Sequence, residues 1–170
     1  IKELKKVHPE KIKDFKEDFK EISEYVIVDS AAGLGAEAMG TISLAEELII
    51  VTNPELPAIT DALKTIKVAE QMGKTVLGII VTRVRKDDVE MTPEMVKEML
   101  EVSVLGMVPE DRAVQKSLNL KDAVVHTHPS SKAARAYKEI AARIIDVRYD
   151  SDKDDGNFFS RILRKIGLKK

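Results

Sequence analysis

Four runs of consecutive apolar residues, rich in valine and isoleucine, recur along the chain, and each is followed by polar or turn residues. Runs of this length and composition are typical of strands buried on both faces of a sheet. They are residues 25–28, 48–51, 76–81 and 102–108, and they end beside Asp29, Asn53, Thr82 and Pro109.

Segments in which apolar residues recur at helical spacing alternate with these runs. Helices are predicted at Pro9–Ile22, Pro57–Met72, from Thr92 onward and at Pro129–Ile145, with Thr92 as an N-cap and Gly73 as a C-terminal stop. Strands that alternate with helices predict an α/β fold with a parallel sheet covered by helices on both faces. Ligands bind such sheets beyond the carboxyl ends of the strands, so those ends hold the candidate site.

The composition excludes several classes of site. The 170 residues contain no cysteine, which excludes disulfides, thiolate metal sites and cysteine nucleophiles. No apolar run approaches the ~18 residues of a membrane span, and the first ten residues have no signal-peptide core, so we expect a cytoplasmic protein. The net charge is −1, yet residues 158–170 contain five basic and no acidic side chains. The rest of the chain is therefore acidic, which argues against a broad nucleic-acid-binding face.

The segment from Val26 to Gly35 has the pattern of a Walker B strand and its following loop. A carboxylate at the strand tip, here Asp29, helps to hold Mg²⁺ through water. Gly33 and Gly35 allow backbone N–H groups to approach a phosphate closely. On its own this segment is equally consistent with an ordinary strand end followed by a helix cap.

Four motifs taken together resemble the MinD family of deviant P-loop ATPases, which are relatives of the ParA partition ATPases. In chain order they are DSAAGLGAEAM, ELIIVTNPELPAITDALKTIKVAEQMGKTVLGIIVTRV, LGMVPEDRAVQKSL and SSKAARAYKEIAARI. The resemblance extends from about residue 9 to the end of the chain. It implies a three-layer P-loop NTPase-type (Rossmann-like) fold, ATP and Mg²⁺ as cofactors, and a homodimer in the ATP-bound state.

The resemblance also implies a role for each matching residue. Asp29 would be the Walker B carboxylate and the catalytic candidate, and Ser30 to Gly35 would form the loop that senses the γ-phosphate, with Ser30, Gly33 and Gly35 contacting nucleotide. Two strand ends would hold the adenine: Thr82 and Arg83 on one side, and Pro109, Glu110 and Asp111 on the other. The family commonly has asparagine where Thr82 stands. It usually has proline where Ala31 stands, and because proline restricts the backbone, we expect the loop from Ser30 to Gly35 to be looser here.

The phosphate-binding loop of the family, G-x-x-x-x-G-K-[ST], has no match in the expected place. Gly73-Lys74-Thr75 contains the final triplet, but Val68 stands where the leading glycine is required, and the triplet falls between a helix and a strand. Gly73 is better interpreted as a helix C-terminal residue. The resemblance implies that the loop belongs to a segment upstream of Ile1, so we expect an ATPase domain incomplete at its N-terminus and a chain inactive by itself.

Beyond the domain, predicted at 1–145, lie a polar acidic linker, 146–157, and an amphipathic segment, 158–170. The linker and the basic composition of the segment indicate an interfacial membrane helix rather than a helix docked on the body. The MinD family carries its membrane-targeting sequence in this place. The apolar side contains Phe158, Phe159, Ile162, Leu163 and Ile166, and the basic side contains Arg161, Arg164 and Lys165.

These observations favour a MinD-like ATPase switch that associates reversibly with the inner face of the cell membrane and positions other proteins, as in cell-division site placement. Its expected partners are a second copy, an anionic membrane surface and an effector protein, and nucleic acid is not expected. Two alternatives stay open: a ParA-like partitioning ATPase, and a non-catalytic fragment without the phosphate-binding loop. An iron–sulfur carrier of the same superfamily would need a cysteine pair, which the chain lacks.

Overall fold

The computed structural model describes residues 23–85 and 91–149. The predicted helix 9–22, the linker from residue 150 onward and the tail segment 158–170 lie outside the described residues. The elements in chain order are α1 (Ala36–Leu44), β1 (Glu47–Thr52), α2 (Leu56–Gln71), β2 (Thr75–Val84), α3 (Pro93–Leu100), β3 (Val104–Pro109), α4 (Arg112–Asn119), α5 (Val124–Thr127) and α6 (Lys132–Ile144).

The three strands form one parallel sheet in the order β1-β2-β3. Ile50 pairs with Ile79 between β1 and β2, and Val81 pairs with Met107 between β2 and β3. Helices α2 and α3 make the two crossovers, as parallel neighbours require. The predicted α/β fold with a parallel sheet is therefore confirmed, and the carboxyl ends of all three strands meet at one edge.

Alternate residues of β2 face opposite sides of the sheet, which gives the molecule three layers. Ile79 and Val81 pack with buried residues of α2 and α3, among them Ile66 and Val96. Ile80, between them in sequence, packs in a second cluster with β3 and α6. Burial on both faces explains why the strand sequences are continuous apolar runs.

Helix α6 packs closely against β3 at Gly106. A methyl group built at Gly106 would overlap the side chain of Ile140, which packs in the cluster formed by β3 and α6. The absence of a side chain at Gly106 therefore lets α6 lie directly against the strand.

The helix boundaries follow the predicted capping residues closely. Thr92 caps α3, since its hydroxyl accepts a hydrogen bond from the Met95 N–H at 3.3 Å. Gly73 follows α2 with φ +69°, and its N–H donates to the Glu70 carbonyl at 2.9 Å. Helix α6 begins at Lys132, later than predicted, because Ser131 caps it by accepting from the Ala134 N–H. In the part of the chain that the structure describes, no helix has the length and apolar composition to cross a membrane.

The prediction of a buried strand at residues 25–28 is wrong for this structure. These residues belong to none of the three strands, and Ile27 is 96% exposed. A strand requires a neighbour that accepts its backbone hydrogen bonds, and within the described ranges β1 pairs only with β2. The outer edge of β1 is open there, and Val51 on this strand is 63% exposed.

Candidate functional site

A groove of about 360 Å³ opens at the carboxyl ends of β2 and β3, within the size range of ligand pockets. We call it the strand-end groove. It brings together five residues predicted as one site from two separate motifs, and adds residues from α4 and α6. Its lining consists of Thr82, Arg83, Val108, Pro109, Glu110, Asp111, Val114, Gln115, Leu118 and Tyr137.

The β2 side of the strand-end groove is fixed by Thr82 and Arg83. The Thr82 hydroxyl donates to the Thr52 carbonyl at 3.1 Å, which joins the ends of β2 and β1. Arg83 has φ +58°, a left-handed conformation that is uncommon for a residue with a side chain. Such conformations persist only where the surrounding structure holds them, and they concentrate at functional sites.

Glu110 sits at the mouth of the groove between two arginines. Its carboxylate lies 3.9 Å from the Arg83 guanidinium and 3.8 Å from that of Arg85. Its backbone N–H donates to the Val84 carbonyl at 2.9 Å, which ties the β3 side to the β2 side. All three side chains are partly exposed, so these ion pairs orient the groove entrance more than they stabilise the fold.

The Asp111 carboxylate caps the N-termini of two helices. One carboxylate oxygen accepts from the Ala113 N–H at 2.8 Å and caps α4, and the other accepts from the Ala133 N–H of α6 at 3.2 Å. The Ala113 hydrogen bond is the largest of the contacts that lower the pKa of Asp111 below its usual range. Its carboxylate therefore shapes the groove by holding α4 and α6 together, whereas its predicted contact with nucleotide stays a prediction.

Gln115 and Tyr137 line the groove but carried no signal in the sequence, because α4 and α6 meet only in the folded chain. Within residues 23–85 and 91–149, neither side chain has a hydrogen-bond partner in the protein. Burial raises the pKa of the Tyr137 phenol, which keeps it a neutral donor. These two groups are thus available to a ligand, unlike Thr82 and Asp111.

The other predicted site residues form a separate exposed loop, Ser30–Gly35, which we call the glycine loop. Neither this loop nor Asp29 lines the strand-end groove. Gly33 has φ +82°, which favours glycine, and Gly35 is the N-cap of α1 without a side-chain hydrogen bond. A helix start that offers free N–H groups beside glycines is suited to an anion.

The Gly73-Lys74-Thr75 triplet lies in the turn between α2 and β2, as the sequence predicted, and so does not open a helix. The Lys74 ammonium donates to the carbonyls of Ser43 and Ala45, each at 2.7 Å. The Lys74 ammonium is thereby engaged by the end of α1.

The described residues fit a Mg-nucleotide in part. Across the described ranges no three histidine, aspartate or glutamate side chains converge as a metal cluster. Mg²⁺ needs less than that, because it is commonly held by one or two carboxylates with water and substrate phosphates. The exposed carboxylate of Asp29 beside the glycine loop suits this mode, and the apolar wall of Val108, Val114 and Leu118 suits a flat base.

The family described as ParA, NUBPL iron-transfer P-loop NTPase, matches residues 9–145. That description includes iron transfer, whereas this chain has no cysteine and so lacks the cysteine pair expected of an iron–sulfur carrier. An uncharacterised ATP-binding protein of Methanocaldococcus jannaschii is 35% identical over 168 residues, which cover 98% of this chain and 64% of that protein.

Two solved structures of MinD have the same fold. The Pyrococcus furiosus cell division ATPase MinD superposes with a TM-score of 0.76 at 30% identity, over 82% of this chain and 59% of that one. The Pyrococcus horikoshii septum site-determining protein MinD, complexed with Mg-ADP, superposes with a TM-score of 0.75 at 29% identity. The match covers 81% of this chain and 56% of that one. The chain thus spans less than two thirds of the length of each of these proteins. It belongs to the ParA/MinD family of P-loop NTPases.

Proposed function

We propose that the chain is part of a MinD-like ATPase switch and supplies its base-binding groove and its γ-phosphate-sensing loop. The strand-end groove carries the proposal, because it joins the separately predicted pairs Thr82–Arg83 and Pro109–Glu110 in one cavity at the carboxyl edge of a parallel sheet. The proposed ligand is ATP with Mg²⁺. Support comes from the family match and from a related structure that holds Mg-ADP.

In this proposal the adenine lies in the strand-end groove. Val108, Val114 and Leu118 provide apolar surface for the ring, and the aromatic ring of Tyr137 adds a stacking surface. Gln115 and Tyr137 offer polar groups to the edge of the base. Arg83 and Glu110 frame the entrance with opposite charges 3.9 Å apart.

The phosphates lie beside the glycine loop. Asp29 would hold Mg²⁺ through water, and the bound ion would supply positive charge to the phosphates during hydrolysis. Gly33 and the uncapped start of α1 provide backbone N–H groups to the phosphate oxygens. The lysines that hydrolysis requires come, in this proposal, from polypeptide outside this chain, which covers 56–64% of the three related proteins described above.

The switch acts at the membrane. The segment 158–170 lays its apolar side chains, including Phe159 and Ile162, into the interface of an anionic membrane, and its basic side chains contact headgroups. One such segment binds weakly, and an ATP-bound homodimer joins two of them, raising avidity by about 10²–10⁴. The protein would then recruit an effector at the inner face of the cell membrane and release it after hydrolysis.

The test compares ATP turnover by the full-length gene product, its Asp29→Ala variant and its Asp61→Ala control, which removes an exposed carboxylate paired with Lys64. We expect Asp29→Ala to lower kcat by about 100-fold or more, because positioning and charge stabilisation carry this chemistry. Asp61→Ala should leave kcat unchanged, and the 170-residue chain alone should show no turnover. An Asp29→Ala rate within a factor of two of wild type contradicts the assignment.

A further inference from the structure

Lys74 caps the end of α1 from a distant turn. Its ammonium donates to the carbonyls of Ser43 and Ala45, each at 2.7 Å. The last turn of α1 contains no basic residue of its own. The final carbonyls of a helix lack partners within it and carry partial negative charge, so a cation supplied from outside both satisfies and attracts them.

Helix α1 connects this cap to the glycine loop. It has nine residues, which at 1.5 Å per residue is about 13 Å. Gly35 of the loop is its N-cap, so any shift of the helix along its axis moves the loop. Only Ala38 and Ile42 of α1 are buried, which gives the helix a narrow packed face against the body. The two hydrogen bonds from Lys74 therefore add to a small packed face in fixing the position of α1.

The same lysine is connected to the strand-end groove through β2. Lys74 directly precedes Thr75, the first residue of β2, and the carboxyl end of that strand carries Thr82 and Arg83. The Lys74 N–H donates to the Ala69 carbonyl at 2.9 Å, which fixes its backbone on the end of α2. Its side chain thus reaches from the turn that begins β2 to the helix that bears the loop.

We propose that Lys74 is a positioning residue that holds the glycine loop in register with the strand-end groove, so that one nucleotide contacts both. The nucleotide contact in this inference rests on the proposed function. The hydrogen bonds from Lys74 to the end of α1, which we call the α1 clamp, do not depend on it. Its chemical requirement is a long side chain with a cationic donor. Arginine should therefore substitute in part, and methionine, which has similar length and no donor, should not.

The experiment measures hydrogen–deuterium exchange of α1 in Lys74→Met, Lys74→Arg and Lys74→Gln, with Lys64→Met as the control for loss of a lysine paired within its own helix. In the nucleotide-free 170-residue chain we expect Lys74→Met to speed exchange across 37–45 by about 10-fold or more, because both charge-assisted hydrogen bonds to α1 are lost. Lys74→Arg should restore most of the protection, and Lys74→Gln should be intermediate. Unchanged protection of β2 in the same spectra shows that the sheet is intact.

A second arm uses the full-length gene product with Mg-ATP. We expect Lys74→Met to lower kcat by about 10-fold with the KM for ATP within twofold, since the groove is left intact while the loop is displaced. If Mg-ATP does not slow hydrogen–deuterium exchange of the glycine loop in the wild-type protein, the proposed function is contradicted. The exchange result for α1 in the nucleotide-free chain is unaffected by that outcome. Equal α1 exchange in Lys74→Met and wild type overturns the α1 clamp. Faster α1 exchange with unchanged kcat overturns the positioning role.

Discussion

Replacement of Asp111 tests whether one carboxylate holds the two helices behind the groove. Asp111→Ala removes the acceptors for Ala113 on α4, at 2.8 Å, and for Ala133 on α6, at 3.2 Å. Loss of one N-terminal cap costs about 1 kcal/mol, within a range of about 0.5–2. Two caps lost together predict a fall of about 2 kcal/mol in the free energy of unfolding, or about 4–8 °C in Tm for a chain of this size.

Thermal and urea unfolding of the 170-residue chain would measure this difference, with Asp61→Ala as the control. Asp61 is an exposed carboxylate whose ion pair with Lys64 lies within a single helix, so its loss should cost less than about 0.5 kcal/mol. Asp111→Asn, which keeps one acceptor oxygen, should fall between the two variants. A cost for Asp111→Ala no larger than that for Asp61→Ala would refute the double cap.

The pH dependence gives a second check on Asp111. Its folded-state pKa is lowered, chiefly by the Ala113 hydrogen bond, so the unfolded state binds the proton more readily. The stability that the ionised carboxylate contributes is therefore complete above the unfolded pKa of about 4 and is lost as pH falls through the lower folded value. We expect the Tm gap between wild type and Asp111→Asn to be constant from pH 7 to about 5 and to narrow below about 4.

Three further predictions concern the groove, the core and the tail. Gln115→Leu and Tyr137→Phe should each reduce the preference for ATP over GTP by about 10-fold in calorimetric titrations of the full-length protein, because one polar contact to the base is lost. Gly106→Ala should lower the free energy of unfolding by about 1–3 kcal/mol through overlap with Ile140. Ile140→Ala, which removes the overlapping Cγ1 and Cδ1 atoms, should therefore cost less in Gly106→Ala than in wild type, and additive losses would contradict the overlap. Ile162→Glu should abolish co-sedimentation with anionic liposomes. If the full-length protein binds these liposomes equally well with ADP and with ATP, the proposed switch is contradicted.

The central fold could be predicted because its signals are local. Continuous Val and Ile runs mark β1, β2 and β3, since both faces of each strand are covered. Thr92 and Gly73 mark helix ends because capping depends on residues within one turn. The grouping of Thr82 with Pro109 followed from parallel strands ending at one edge.

Other features depended on contacts that no local pattern contains. The Asp111 carboxylate reaches Ala133, 22 residues away, so its role as a double cap was not visible beside its resemblance to a nucleotide-binding motif. Gln115 lines the groove because α4 packs against α6 beside the end of β3. The run at 25–28 has the composition of a buried strand, yet composition does not supply the neighbouring strand that its backbone needs.

The open edge of β1 has a practical consequence for handling the 170-residue polypeptide. Exposed Ile49 and Val51 lie on a strand whose outer edge has no pairing strand among the described residues, and residues 25–28 are also apolar and exposed. Such an edge is a template for pairing between molecules, and β1 contains no lysine or proline that would discourage it. Its register against β2 is irregular between Leu48 and Ile49, so Ile49–Thr52 form the regular part of the edge. Recombinant preparations should therefore aggregate increasingly at higher concentration, with a rising β-sheet signal, and Val51→Lys should improve their solubility.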